Sequence, residues 1–439
     1  MNEDPVLDEF AADPQVISEY EALAAGEYSE GSRGRLLFVV STTDLSASHG
    51  DVYVGLGLAK YLRREGWGIT LWPTERWSDV TPEGFDAAIV MIETYVPGLV
   101  HPDTAAIAWV RNWTDRWAEL PYLEAFAQIW CSSELSATRM REAYPGPVEV
   151  LPLATDPELF SPVDVPRDRG VVTTANYWGS DRGLFASLAL VAATEPVTWF
   201  GRNMPYLTLP EGIDHSRRVD YFALPAVYSA WNFVIDDAIP AARDYGAQNS
   251  RLFDALACGA AVITNNTRAL DELDLDEVLC YDEPEELPEV LRTARADPEA
   301  HAALTARLRD VVLGQHTYAQ RAAAASVFLE RAVAASVNDR ELLAWTSRVR
   351  EQLRTMEIDY YEIRGRLAQI ETDRDALRTA TEELRYWYDL SQMRVAALES
   401  EAANHWTRRV GYYAGYVKSP RRIVERLRRS SASATPPAE

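Results

Sequence analysis

The chain has 439 residues, room for two or three units at about 150 residues per domain, and its 47% hydrophobic content is that of a globular protein. A formal net charge of -24 excludes general nucleic-acid binding, which needs a basic footprint, and no apolar run approaches the ~18 residues of a membrane-spanning helix. Cys131, Cys258 and Cys280 lie far apart among apolar residues, as expected of reduced thiols in a cytosolic protein and not of a disulfide frame or zinc site.

Residues 1–30 carry nine Asp/Glu and no Lys/Arg, the composition of a solvated acidic extension. Within it Asp13-Pro14 is a helix start and Gly26 a helix end. The opening Met1-Asn2-Glu3-Asp4-Pro5 lacks a basic stretch followed by an apolar core, so no secretory leader is expected.

From Arg35 strands and helices alternate. Leu36 to Val40 reads as a buried strand. A loop rich in Ser, Thr and Gly follows, then an amphipathic helix from about Val52 to Glu65 with Gly66 as its C-cap. Ile69–Trp72, Ala87–Met91, Ala106–Val110 and Ile129–Cys131 continue the series. Pro152, Pro157, Pro162 and Pro166 mark a linker, and a second run follows with Val171–Thr174, Val197–Phe200, Asn232–Ile235 and Ala261–Thr264. The pattern predicts an α/β protein of two Rossmann-like, doubly wound domains, 31–160 and 161–338. Each sheet is parallel and covered on both faces, and the ligand cleft lies at the carboxyl ends of the strands.

Between residues 339 and 404 the texture is a coiled coil. Leu342, Val349, Met356, Ile363, Ile370, Leu377 and Leu384 recur every seven residues, with Leu353, Tyr360 and Leu367 four residues after three of them. The stripe predicts a homo-oligomer, the alternative being a helix folded back on its own domain. The tail, 405–439, places eight Lys/Arg against one Glu between Trp406 and Ser430, interleaved with Tyr412, Tyr413 and Tyr416. That mixture suits an anionic bilayer surface or an acidic protein surface, with a disordered end.

The segment from Gln248 to Asn265 carries the chemistry. A loop leads into a helix whose N-terminus, with Asn249 and Ser250 as polar caps, is an anion site by backbone geometry. Arg251 stands in the first turn, where a cation opposes the helix dipole. An anionic ligand explains it; an ordinary amphipathic helix with surface charges is the alternative. Asp254 follows on the same face, and Gly259 ends the helix.

The stretch Arg251-Leu-Phe-Asp-Ala-Leu-Ala-Cys-Gly-Ala-Ala-Val-Ile-Thr264 resembles the donor-site helix of GT-B glycosyltransferases, in particular family 4 and the CgeB-like group. The crossing from Val150 through Pro152, Asp156, Phe160 and Pro162 is similar to the family's interdomain pattern, V-x-P-x-x-x-D-x-x-x-F-x-P. The resemblance covers roughly residues 35–335. It implies that Asp254 binds ribose and that Asn249, Ser250 and Arg251 meet the diphosphate. Arg182 stands where family 4 enzymes carry a diphosphate-binding Lys. Arg202, after Gly201 at a strand end, is a further diphosphate candidate. Two departures stand out: Ala247 replaces a Glu expected near the sugar, and Tyr177 replaces an expected Arg.

In the loop after the first strand, His49 and Asp51 are the candidate catalytic residues, as base or in orienting the acceptor; helix capping by Asp51 or Ser48 is the alternative. Glu93 and Asn112 end later strands, and Trp109, Trp113 and Trp117 are candidates for an acceptor groove. Asp274-Leu275-Asp276 mimics a metal motif of another glycosyltransferase fold. GT-B enzymes generally need no metal, so neither metal nor cofactor is expected. The resemblance thus implies metal-independent transfer of a hexosyl or related sugar from a nucleotide-sugar donor to a glycan, lipid-linked or protein acceptor. The setting would be cell-surface polysaccharide or glycoconjugate synthesis, in the cytoplasm or peripherally at the inner face of the plasma membrane. A non-catalytic GT-B scaffold and a sugar-nucleotide epimerase are the alternatives.

Overall fold

The computed structural model describes residues 12–176, 183–201, 209, 211–216, 219–335, 341–417, 421, 424, 425, 428 and 429. The first element among the described residues is α1 (Pro14–Ala24). Asp13 accepts a bond from the Gln15 N–H at 2.8 Å, and Pro14 takes the first helical position, where no N–H is needed. Gly26, at φ +77°, turns the chain out of the helix. Val16, Tyr20 and Leu23 fall on one face and are buried. From Ala12 onward the acidic extension is therefore a packed helix and not a solvated arm. Its acidic composition hid an apolar stripe at helical spacing.

The first sheet is built from β1 (Gly34–Val39), α2 (Gly50–Arg64), β2 (Trp67–Trp72), β3 (Ala87–Val90), β4 (Ala105–Val110), α3 (Thr114–Ala118), β5 (Gln128–Cys131), α4 (Glu134–Ala143) and β6 (Val148–Val150). All its pairings are parallel, in the order β2-β1-β3-β4-β5-β6. Every residue of β4 is buried, as a strand covered on both faces requires. Trp109 and Trp117 are part of this core and line no groove; Trp113, half-buried, sits in the left-handed region at φ 55°.

The second sheet uses β7 (Arg169–Thr174), α5 (Leu184–Ala192), β8 (Val197–Phe200), β9 (Ile213–Ser216), α6 (Leu224–Ala230), β10 (Trp231–Asp236), α7 (Pro240–Arg243), α8 (Ser250–Ala257), β11 (Ala261–Thr264) and β12 (Leu279–Cys280). It too is parallel, ordered β12-β11-β10-β7-β8-β9. With every strand parallel, successive strands switch from one side to the other between β1 and β3 in one sheet and between β7 and β10 in the other. Loops diverge at such switch points, and ligands bind there.

Next come α9 (Leu287–Ala296), α10 (Pro298–Gln315) and α11 (Tyr318–Ala335). The chain crosses between the sheets twice, side by side. Thr155 on the outward crossing pairs with Thr317 on the return, with Thr155 N–H donating to His316 O and Tyr318 N–H to Thr155 O. α11 packs on α2 of the first sheet, and Trp67 Nε1 donates to Ser326 Oγ at 3.1 Å. Gly57 makes room for this: a Cβ there would meet the Tyr318 ring at 2.5 Å.

Asp156, the acid of the crossing pattern, is buried and accepts from Tyr20 at 2.9 Å, Tyr61 at 2.7 Å and Lys60 at 2.7 Å. It thereby ties α1, α2 and the crossing together.

By compactness the chain divides into Met1–Gly365, which holds both sheets, and Arg366–Glu439. The final helix, α12 (Glu341–Val417), runs unbroken past residue 404. Residues 373–402 of it are exposed throughout, including Leu377 and Leu384.

Candidate functional site

α8 has a nearly fully buried body, Leu252 through Ala257, and a half-buried first turn, Ser250 and Arg251, at the cleft. Gly259, at φ +75°, stops it before β11. Asn249 is the capping residue, but its side chain makes no bond to the helix's own N–H groups. Its Nδ2 instead donates to Asp236 Oδ1 at 3.0 Å and to the Asp237 carbonyl at 3.2 Å. The cap side chain thus does not occupy the first-turn amides, of which the Leu252 N–H donates to the Asn249 carbonyl at 3.2 Å.

Arg251 bridges the switch point of the second sheet. Its Nη1 donates to Asp236 Oδ1 at 2.8 Å, at the end of β10, while Nε and Nη2 donate to Thr174 Oγ1 and O, at the end of β7. Thr264 Oγ1 also donates to Asp236. An internal carboxylate, as well as any ligand, therefore accounts for a cation in this first turn. Asp254, one turn further, is 4% exposed and accepts from Thr155 Oγ1 at 2.7 Å. Burial pushes its carboxyl well above the usual range, against the Thr155 hydrogen bond and the Arg251 charge, which pull it down.

These residues line a cleft of about 350 Å³ whose walls come from both sheet domains. The first domain supplies Ser48, Gly50, Tyr53, Arg111 and Asn112. Tyr53 stacks on Tyr221 of the second domain, ring centroids 3.6 Å apart. Gly201 lines the opposite side at φ +155°, where a Cβ would lie 2.1 Å from the Ala175 carbonyl oxygen, so the backbone approach needs glycine.

His49 and Asp51 flank this wall and converge on Ser41. Asp51 accepts the Ser41 N–H at 2.7 Å and the Ser41 hydroxyl at 2.8 Å, and His49 Nδ1 lies 2.8 Å from the same hydroxyl. The Ser41 hydroxyl gives its one proton to Asp51. His49 Nδ1 is therefore the donor in the second contact, which in a neutral imidazole places the lone pair on Nε2. Asp51 thus has both oxygens engaged by Ser41.

Of the remaining sequence candidates, Arg182 and Arg202 lie outside the described residues, as does Tyr177. Glu93 pairs with Arg116 at 3.4 Å. Asp274 and Asp276 are exposed on a turn, and among the described residues no group of three or more His, Cys, Asp or Glu is placed to hold a metal. Sequence reasoning missed Arg111, Thr155 and Thr174. Arg111 had a visible signal, a cation directly after the apolar run of β4. Thr155 and Thr174 matter only through contacts across the fold.

A family model described as glycosyl transferase-like matches residues 176–326. No curated protein matches the chain. The sucrose-phosphate synthase of Thermosynechococcus elongatus superposes with a TM-score of 0.54 at 14% identity, covering 69% of this chain and 99% of that one. HepE of Anabaena, solved in complex with UDP-glucose, gives 0.52 at 11% identity over 67% and 99%. AviGT4, a glycosyltransferase involved in avilamycin A biosynthesis, gives 0.50 at 14% identity over 68% and 98%. The chain therefore has the GT-B fold. The narrower likeness to family 4 and CgeB-like enzymes rests on the sequence motifs.

Proposed function

We propose that the protein is a glycosyltransferase that moves a hexosyl or related sugar from a nucleotide-sugar donor to a glycan or lipid-linked acceptor without a metal ion. The observation that carries this reading is the N-terminus of α8, with Arg251 and Asp254, at the cleft where the switch point of the second sheet faces the first domain. The α8 amides and Arg251 meet the diphosphate and stabilise the charge that grows on it as the sugar departs. Asp254 holds the ribose through the oxygen not bonded to Thr155. Arg182 and Arg202 are further diphosphate ligands in this reading, on sequence grounds. His49 is the acceptor's base, set in its tautomer by Ser41 and Asp51. The match to a glycosyl transferase-like family over 176–326 supports the donor half.

The heptad stripe of α12 supports a homo-oligomer formed through this helix. The basic aromatic tail supports contact with anionic lipid at the cytoplasmic face of a membrane where glycan is assembled; no helix among the described residues is long and apolar enough to cross one.

The test is a thermal-shift series with UDP, GDP, ADP and CMP, followed by transfer assays with the sugar nucleotides of whichever base binds. UDP is tried first because HepE was solved with UDP-glucose. A ligand that binds the native state raises its melting temperature. A rise with one nucleotide, and transfer that persists in EDTA, is expected. No shift with any of them overturns the reading.

A further inference from the structure

Arg111 is a cation at the cleft that no carboxylate among the described residues contacts directly. It follows the last residue of β4, a central strand of the first sheet, and lines the cleft. Its Nη2 donates to the Met91 carbonyl at 3.0 Å, while its Nε is buried with no acceptor. No ion pair among the described residues includes it. Two carboxylates, Asp51 and Glu93, act on it through their charge, but neither makes a direct hydrogen bond or ion pair with it. Asp51 has both oxygens on Ser41, and Glu93 pairs with Arg116. The contrast with Arg251, neutralised by Asp236 at 2.8 Å, is direct. Burial lowers the Arg111 pKa, yet a guanidinium stays protonated in proteins. A half-buried guanidinium whose Nε has no acceptor and which no carboxylate contacts is costly, and a ligand oxyanion relieves that cost with the planar fork geometry that arginine favours.

We propose that Arg111 binds an oxyanion, phosphate or carboxylate, carried by the acceptor, so that the acceptor is an anionic molecule. The inference rests on the glycosyltransferase reading for the word acceptor. The position argues for that source and against the donor. Arg111 stands on the first domain, whereas the diphosphate position is at α8 on the second.

The probe is inorganic phosphate, titrated by calorimetry into the full chain with and without saturating UDP. Wild type is expected to bind phosphate in both conditions. Arg111→Met, which keeps the apolar stem, is expected to weaken phosphate about 10-fold to 100-fold with UDP affinity unchanged. Arg111→Lys should fall between, since it keeps the charge and loses the fork. Circular dichroism and thermal melting check that both variants fold. Three results overturn the proposal: no phosphate binding by wild type, unchanged phosphate affinity in Arg111→Met, or displacement of phosphate by UDP, which would assign Arg111 to the donor. If phosphate binding depends on Arg111 while UDP binds neither protein, the donor reading fails and the Arg111 oxyanion site stands. In transfer assays, Arg111→Met should raise the acceptor KM with the donor KM unchanged.

Discussion

Arg251 Nη1 lies 2.8 Å from Asp236 Oδ1, a carboxylate with no exposure to solvent. The pair joins α8 to the end of β10, so Arg251 holds the switch point together as well as facing the cleft. Arg251→Ala is expected to weaken nucleotide binding strongly and also to destabilise the fold. Removing one partner of a buried ion pair typically costs roughly 3–5 kcal/mol. Because Arg251 keeps 12% side-chain exposure, the lower end applies. Urea unfolding measures the second effect and calorimetry with UDP the first. Adding Asp236→Asn should restore much of the stability and none of the nucleotide affinity. Unchanged affinity in the single variant would remove Arg251 from the donor site.

His49 and Asp51 separate by kinetics. His49→Ala should lower kcat about 10²-fold to 10⁴-fold, the usual contribution of a positioned base, with the donor KM little changed. Asp51→Asn keeps the shape but alters which partner takes the Ser41 proton. It should therefore shift the pH dependence of kcat while leaving more activity than His49→Ala. Equal kcat in wild type and His49→Ala would remove His49 as the base.

His316 and Glu158 both contribute to the acid side of stability. Burial, with the charge of Arg321, lowers the His316 pKa to about 4, against 6.5 for the free group. The folded form resists a proton that the unfolded chain accepts. The stability from neutral His316 is thus complete above about pH 6.5 and is lost as pH falls through about 4. Glu158 is depressed to about 2 from 4.5 by its hydrogen bond with Arg64 and by Lys60, so its contribution is lost lower, between about pH 4.5 and 2. Urea midpoints measured against pH should fall in two stages. His316→Gln should flatten the upper stage, leaving a residue from His301, which burial also lowers. Glu158→Gln should flatten only the lower one.

The alternation of buried strands and capped helices made nine of the twelve described strands legible, because each of those is a short apolar run between turn residues; the edge strands β6, β9 and β12 were not, being short or carrying polar residues such as Glu149, Asp214 and His215. The helix at Asn249 to Gly259 was legible for the same reason, as was its place at a cleft. What escaped depends on contacts far apart in the chain. Asp156 reads as part of a linker pattern, yet its work is to gather Tyr20, Lys60 and Tyr61. Thr155 meets Asp254 across 99 residues. Nothing local marks either one. The packing of α1 was missed for another reason: nine acids among thirty residues outweighed a three-residue stripe in any compositional reading.

The stripe on α12 gives the last prediction. Ile370, Leu377 and Leu384 are 62%, 68% and 70% exposed, and they recur at the seven-residue interval that feeds a coiled-coil seam. A single helix gains nothing from such a row in water, whereas pairing buries each residue for roughly 1.5–3 kcal/mol. Sedimentation should therefore show a concentration-dependent oligomer. Ile370→Asp combined with Leu377→Asp should give a monomer, because a charge at the seam is desolvated without a partner. UDP affinity should not change, since neither residue lines the cleft. A wild-type chain that stays monomeric at micromolar concentration would refute self-association and leave the stripe to another protein.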